Sequence, residues 1–435
     1  MTGNVTDTIM NDFTLKPNLQ LGSTIVPTVA NGGVGSTWND WAAAGHIRDG
    51  SDPAFAAGHR ERWREDVLLM RSMGLQTCRL GADWAAMEPE EGRFDEEETA
   101  RFKEELMLMI GMGIRPLIVL HQCADPAWFT KKGGWEKYDN VRCFLIFAEH
   151  VVRAVGHLAA EYLTFAQPNT CVFNGWLYGQ WAPGKKRLAL AMSVMSNFCA
   201  AHIRAYRLIH DVRQELGFSD SRVSFALEYR VFAPKSRYSP VHRTAASQLD
   251  RLFQQLPAEA MLTGEYHAPL RVPGKERRGT FADFLAVDYG GGCTVTRLAD
   301  GAAPAAFKND LGRELGLDGF SKPCAWLYKL RPMNLYLTVG TCDVNDSFRG
   351  RYLYELLRAV SEKSIPIKRF YYDGFLDGFF WLDGLYARTG LVSVDFETLE
   401  RSVKRSGEFF GRVIRRGGVT EKMYDKYVAG EEYHL

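Results

Sequence analysis

The chain has 435 residues, 46% of them hydrophobic, which is enough to bury a large core in a globular protein. Its 53 Lys plus Arg almost cancel 52 Asp plus Glu, leaving a formal net charge of +1. That balance provides no basic field for nucleic acid or an anionic membrane, so the expected partner is a small neutral molecule.

Taken in chain order, the opening stretch MTGNVTDTIMNDF lacks the charged-then-apolar pattern of a secretory leader. No uninterrupted run of 18 apolar residues follows, and the eight cysteines contain no CxxC pair. The expectation is a cytoplasmic protein with reduced thiols. A first strand is expected over 19–25. A helix over 59–73 puts Trp63, Val67, Met70 and Met73 on one face and stops at Gly74. Strand 75–82, helix 99–112, strand 115–121, helix 141–158, strand 161–166, helix 186–216 and strand 222–228 come next. Residues 229–282 are less regular and are expected to form a long loop with short helices. Strands 283–288 and 334–339, helix 350–363 and strand 365–372 complete the series. Eight apolar runs alternating with amphipathic segments, with no linker between them, predict a single-domain α/β protein spanning 1–435, a (β/α)8 TIM barrel.

In such a barrel, chemistry belongs at the C-terminal ends of the strands. Those ends carry Arg79 with Asp83 and Trp84, His121 with Gln122, Gln167, Glu228, Asp288 with Tyr289, Asp343, and Asp373. Each has a plainer reading. Arg79 can bridge carboxylates, His121 can be a core histidine, and the acids can pair with Arg79, Arg230 or Lys368. His121-Gln122-Cys123-Ala124-Asp125 lacks a second histidine at metal-ligating spacing, and there is no P-loop and no GxGxxG after a strand. No metal or cofactor is therefore expected. Tyr289-Gly290-Gly291-Gly292 reads as a flexible exit from a strand. Ten Trp and 18 Tyr suit a carbohydrate cleft, because sugar C–H faces pack on aromatic rings, although core packing explains any single one.

Five segments, in order, resemble glycoside hydrolase family 1: HRERWREDVLLMRSM (59–73), GLQTCRLGADWAAMEPEEGRF (74–94), IRPLIVLHQCADPAWF (114–129), GGW (133–135) and ARTGLVSVDFETLERSVKRS (387–406). The resemblance implies a barrel acting on β-glycosides, with His121 as a sugar-contacting histidine and Trp381 as a retained pocket tryptophan. Members of the family are often homo-oligomers, which leaves association open here.

The same matching implies losses. Where the family has Thr-x-Asn-Glu-Pro, with Glu as acid/base, this chain has Thr164-Phe165-Ala166-Gln167-Pro168. Where the family has its nucleophile in Tyr-Ile-Thr-Glu-Asn-Gly, this chain has Tyr336-Leu337-Thr338-Val339-Gly340-Thr341. An early pocket Gln matches Val29, a sugar-binding Glu matches Phe380, and the sixth-strand Asn-Tyr-Tyr becomes Asp288-Tyr289-Gly290. A retaining glycosidase needs two carboxyls roughly 5–5.5 Å apart. Gln does not titrate and Val has no lone pair, so the double displacement is expected to be lost. The remaining candidates are Glu228, Asp288 and Asp373 as acids or bases. Arg79, Trp84, His121, Gln122, Gln167, Tyr289, Phe380 and Trp381 are the expected ligand contacts. Three functions remain open: glycoside hydrolysis by relocated carboxylates, carbohydrate binding without cleavage, or a different reaction on a sugar derivative.

Overall fold

A computed structural model describes residues 11–33, 35–275, 277–297 and 300–434. Eight parallel strands close on themselves: β1 (Gln20–Ile25), β2 (Thr77–Gly81), β3 (Arg115–Val119), β4 (Glu161–Ala166), β5 (Arg222–Pro234), β6 (Leu285–Val295), β7 (Leu335–Val339) and β8 (Ile367–Tyr372). Each pairs with its neighbours in sequence, and β8 returns to β1, so the barrel has no free edge. All eight expected strands are present. They are legible because helices cover their outer faces and side chains fill the interior, so the strands read as near-continuous apolar runs.

Leu117, Val119, Leu163, Ala226, Phe284 and Tyr336 pack inside the barrel, separately from the larger core between strands and helices. Below them, at the N-terminal end, Tyr336 donates to Glu161 at 2.8 Å and Arg369 pairs with the same carboxylate. Outside, helix His59–Met73 buries Trp63, Val67, Met70 and Met73 and ends at Gly74 with φ 87°. The helix expected at 99–112 starts earlier, as Glu96–Gly111, because Asp95 accepts from the Glu98 N–H and three glutamates occupy its first turn. Helix Leu188–Glu215 has the length and composition of a membrane span, yet 72% of its most apolar window is buried within the fold.

The segment 229–282 contains the expected short helices and departs from the expectation at its start, where a strand replaces loop. β5 runs on to Pro234, and a helix Pro240–Asp250 passes through a π-helical turn, Arg251–Gln255, into helix Leu256–Thr263. β6 likewise continues through the glycine run, so Val231–Pro234 pair with Gly292–Val295 beyond the barrel rim. The glycines are there for close approach and not for flexibility. A Cβ on Gly290 would lie 2.2 Å from Glu228 Oε1, and Gly291 takes φ 85°.

Candidate active site

The C-terminal ends of the strands surround a cavity of about 970 Å³. β5 brings Glu228 into register with Asp288 of β6, which is in turn paired with Thr338 of β7. Asp373 follows β8, its N–H bonded to the Val339 carbonyl at 2.7 Å. Glu228, Asp288 and Asp373 all line this one cavity.

Their surroundings differ. Asp288 is met across the barrel by Arg79, Nη1 to Oδ1 at 2.6 Å and Nη2 to Oδ2 at 2.9 Å, and Nη1 also reaches Thr338 Oγ1 at 3.0 Å. Glu228 is fixed at its backbone by Asn169, whose Oδ1 accepts from the Glu228 N–H at 3.0 Å and whose Nδ2 donates to the carbonyl at 2.8 Å. Its side chain accepts from Thr170 Oγ1 at 2.5 Å and pairs with Arg230. Burial alone would raise the Glu228 pKa, but Arg230 and the Thr170 hydrogen bond bring it below the ordinary value. Asp373 accepts from Thr24 Oγ1 at 2.7 Å. Its burial, with the nearby charges of Asp288 and Glu228, raises its pKa against the opposing pull of Arg79. Two acids of one cavity are thus pushed in opposite directions.

Gln122, Gln167, Tyr289, Phe380 and Trp381 line the cavity. Gln167 turns the chain at φ 55°, directly before helix Pro168–Val172, a backbone conformation costly for a residue with a Cβ. Val339, 1% exposed, lies at the end of β7 beside Tyr289 and Tyr372 in register. Trp381 stacks on Trp181, with ring centroids 5.4 Å apart, and with Phe380 forms an aromatic wall.

Three expected contacts are placed elsewhere. Arg79 lies under the cavity and reaches it through Asp288 and Thr338, which line it. Trp84 stacks on Phe147 in the outer core, and its Nε1 donates to Glu88 at 2.7 Å. His121 is wedged among Trp135, Phe165 and Phe198, its Nε2 2.9 Å from Asp125 Oδ1. Consecutive residues of an extended chain point opposite ways, so Gln122 faces the cavity and His121 does not. Asp83 and Asp343 are caps: Asp83 accepts from the Ala86 N–H, and Asp343 from the N–H groups of Phe348 and Arg349. Of the alternative ion-pair partners, Arg79 and Arg230 hold acids as described, whereas Lys368 is exposed on β8.

Sequence reasoning did not single out Asn169, Thr170 and Thr24, which hold the acids. Nor did it find Arg48, Arg313 and Asp383, which come together from three loops at the cavity. Asn169 and Thr170 had a signal in their position directly after a strand-end Gln-Pro. The loop residues had none.

A sequence model described as Glycosyl hydrolase family 1 matches residues 27–289 and 337–419. A 1,4-beta-D-glucan glucohydrolase of Thermotoga neapolitana is 23% identical over 433 residues, covering 90% of this chain and 95% of that protein. A beta-glucosidase of Agrobacterium sp. is 26% identical over 427 residues, covering 88% and 90%. The solved beta-glycosidase of Pyrococcus horikoshii superposes with a TM-score of 0.85 at 24% identity, covering 96% of this chain and 98% of its own.

Proposed function

The chain belongs to glycosyl hydrolase family 1, and we propose that it acts on a glycoside through carboxylates other than the family's usual pair. Gln167 and Val339 stand where the resemblance expects the acid/base and the nucleophile, and neither can do that work. The observation carrying the proposal is that Glu228 and Asp373 line one cavity from different strands, Glu228 held by Arg230 and Thr170 and Asp373, among the described residues, by Thr24 alone; the opposite directions of their pKa shifts agree with that difference. A pair separated in this way divides into a proton donor and a base.

In this reading Asp373 holds a proton and gives it to the glycosidic oxygen as the bond to the anomeric carbon breaks. Glu228, ionised, takes a proton from a water whose oxygen bonds to the anomeric carbon from the opposite face. The products are an alcohol and a sugar of inverted configuration, and solvent exchange returns each carboxyl to its starting state. Asp288, held by both guanidinium nitrogens of Arg79, serves as a fixed hydrogen-bond acceptor for sugar hydroxyls. Trp381 and Phe380 supply the apolar wall against which a ring packs.

Carbohydrate binding without cleavage is the second reading, favoured by the occupation of Glu228 by Arg230 and Thr170. A panel of α- and β-glycosides, natural and aryl, separates the two. Sugar release that disappears in both Asp373→Asn and Glu228→Gln supports catalysis, and the anomer first formed reports inversion. No release, with saccharides still raising the melting temperature, leaves the binding reading.

A further inference from the structure

A second cavity, of about 250 Å³, adjoins the first. Trp181 borders both, and Trp38 packs against Trp181 and Trp381 with ring centroids 5.2 and 5.0 Å apart. Trp38, Asp125 and Trp135 line the second cavity from its buried side, and Glu136 and Lys185 from its exposed side. Three of its four indoles have their N–H bonded to protein: Trp38 to the Cys123 carbonyl at 2.7 Å, Trp135 to Asp125 at 2.8 Å and Trp176 to Glu136 at 2.9 Å. An indole whose N–H is taken offers a cavity its apolar, electron-rich ring.

Asp125 is only 8% exposed and has no arginine or lysine partner among the described residues. Its Oδ1 accepts from Trp135 and lies 2.9 Å from His121 Nε2, whereas Oδ2 has no hydrogen bond among the described residues. His121 Nδ1 is buried without a partner, so a second ring proton there would find no acceptor. The histidine therefore gives Asp125 a hydrogen bond and not a full counter-charge. A buried carboxylate in that state favours a cation beside it. Across the lining, Asp125 and Glu136 stand against Lys185 alone, an excess of one negative charge.

We propose that this second cavity binds a small methylated ammonium ion, held against the indoles of Trp38, Trp135, Trp176 and Trp181 with Asp125 as its counter-ion. A primary ammonium has three N–H donors to satisfy, and few acceptors are open here. Replacing those hydrogens by methyl groups removes the demand and adds apolar surface for the rings, while the charge is kept. At roughly 30 Å³ for each water-sized group, the space suits about eight non-hydrogen atoms, the scale of choline. Cleavage in the larger cavity is not required for this binding.

The test is calorimetric titration of the purified full chain with choline, with tetramethylammonium and with 3,3-dimethylbutan-1-ol, the uncharged counterpart of choline. Trp176→Leu, Trp176→Phe, Asp125→Asn and Glu136→Gln are titrated alongside, with Asp373→Asn as a change confined to the larger cavity. The melting temperature of each unliganded variant establishes that it is folded. Choline should bind tenfold or more tightly than the neutral alcohol, and tetramethylammonium should compete with it. Asp125→Asn keeps an oxygen for Trp135 and His121 but removes the charge, so it should erase that preference. Trp176→Leu should weaken both cations about tenfold and Trp176→Phe less, because the phenyl ring keeps a π face. Glu136→Gln should weaken them by a smaller factor and Asp373→Asn not at all. Should Asp125→Asn fail to fold, Trp176→Leu and Glu136→Gln carry the comparison. The neutral alcohol binding as tightly as choline, or neither cation binding, would overturn the proposal. So would a loss in Asp373→Asn with none in Trp176→Leu, which would place the cation in the larger cavity.

Discussion

Arg79 of β2 and Asp288 of β6 meet across the barrel in a two-point ion pair, at 2.6 and 2.9 Å, with both side chains 3% exposed. The two strands are diametrically opposed, so the pair ties the walls together beneath the cavity. Removing one partner strands a buried charge, which costs about 3–5 kcal/mol. Arg79→Gln should therefore lower the melting temperature sharply, while Arg79→Gln combined with Asp288→Asn recovers part of the loss. Thermal unfolding of the two variants checks this; equal losses would mean that a stranded charge on Asp288 is not what destabilises the single variant.

The opposite displacements of Asp373 and Glu228 give a pH profile with a definite sign. The working state has Glu228 ionised and Asp373 protonated. Activity should rise as Glu228 loses its proton, below the usual glutamate value of about 4.3, and fall as Asp373 loses its own, above the usual aspartate value. Glu228→Gln should remove the acid limb from any residual activity, and Asp373→Asn the alkaline limb. Arg79 pulls the Asp373 pKa down, so Arg79→Gln should carry the alkaline limb to higher pH. The pH dependence of kcat/KM measures all three.

Gly290 tests the placement of Glu228 without altering a carboxylate. A methyl group there would meet Glu228 Oε1 at 2.2 Å and the carboxyl carbon at 2.9 Å. Because the obstacle is the end of a side chain, Gly290→Ala should cost only about 1–3 kcal/mol of stability. It should nevertheless push Glu228 off Arg230 and Thr170, and glycoside turnover should fall by much more than the melting temperature implies. Turnover and melting temperature measured on the same preparation decide it.

Val339→Glu asks whether the end of β7 still faces an anomeric carbon. The position is buried at the end of β7 and borders the cavity. The variant should melt lower than the parent. With a dinitrophenyl glycoside, whose leaving group needs no proton, it should accumulate one covalent sugar per chain. Intact-mass measurement reads the adduct, and its absence from a folded variant would show that the ligand's anomeric carbon lies elsewhere.

The barrel could be read from the sequence because buried parallel strands leave long apolar runs, and helix stops such as Gly74 carry local signals. The β5–β6 extension was hidden because Gly290–Gly292 have the composition of a loop, and only the Glu228 side chain and the backbone and side chain of Glu314 against them explain the glycines. His121 and Gln122 show a second limit. At a strand end the inward parity depends on where the strand stops, which periodicity fixes only to within a residue or two. Arg48, Arg313 and Asp383 lie far apart in the chain and meet through loop geometry, for which no periodic pattern exists.

His59, at the start of helix His59–Met73, sets the pH range of stability away from the cavity. Its Nδ1 is 2.8 Å from Asp66 and its Nε2 2.8 Å from Glu105, both fully buried, with Arg401 and Arg101 completing the network. Burial alone would lower its pKa, but Glu105 and Asp66 push it up from 6.5 to about 9. A raised pKa of that size corresponds to roughly 3 kcal/mol of stability. That contribution is complete below pH 6.5, the unfolded value, and is lost as pH rises through about 9. Asp66 and Glu105 are displaced downward, so their contribution is present above the ordinary carboxylate range and lost in acid. His59→Gln should therefore lower the melting temperature most at mildly acidic and neutral pH and least near pH 9. Melting curves across that range should converge with those of the parent protein as pH rises. Parallel curves would place the charged state of His59 outside the determinants of stability.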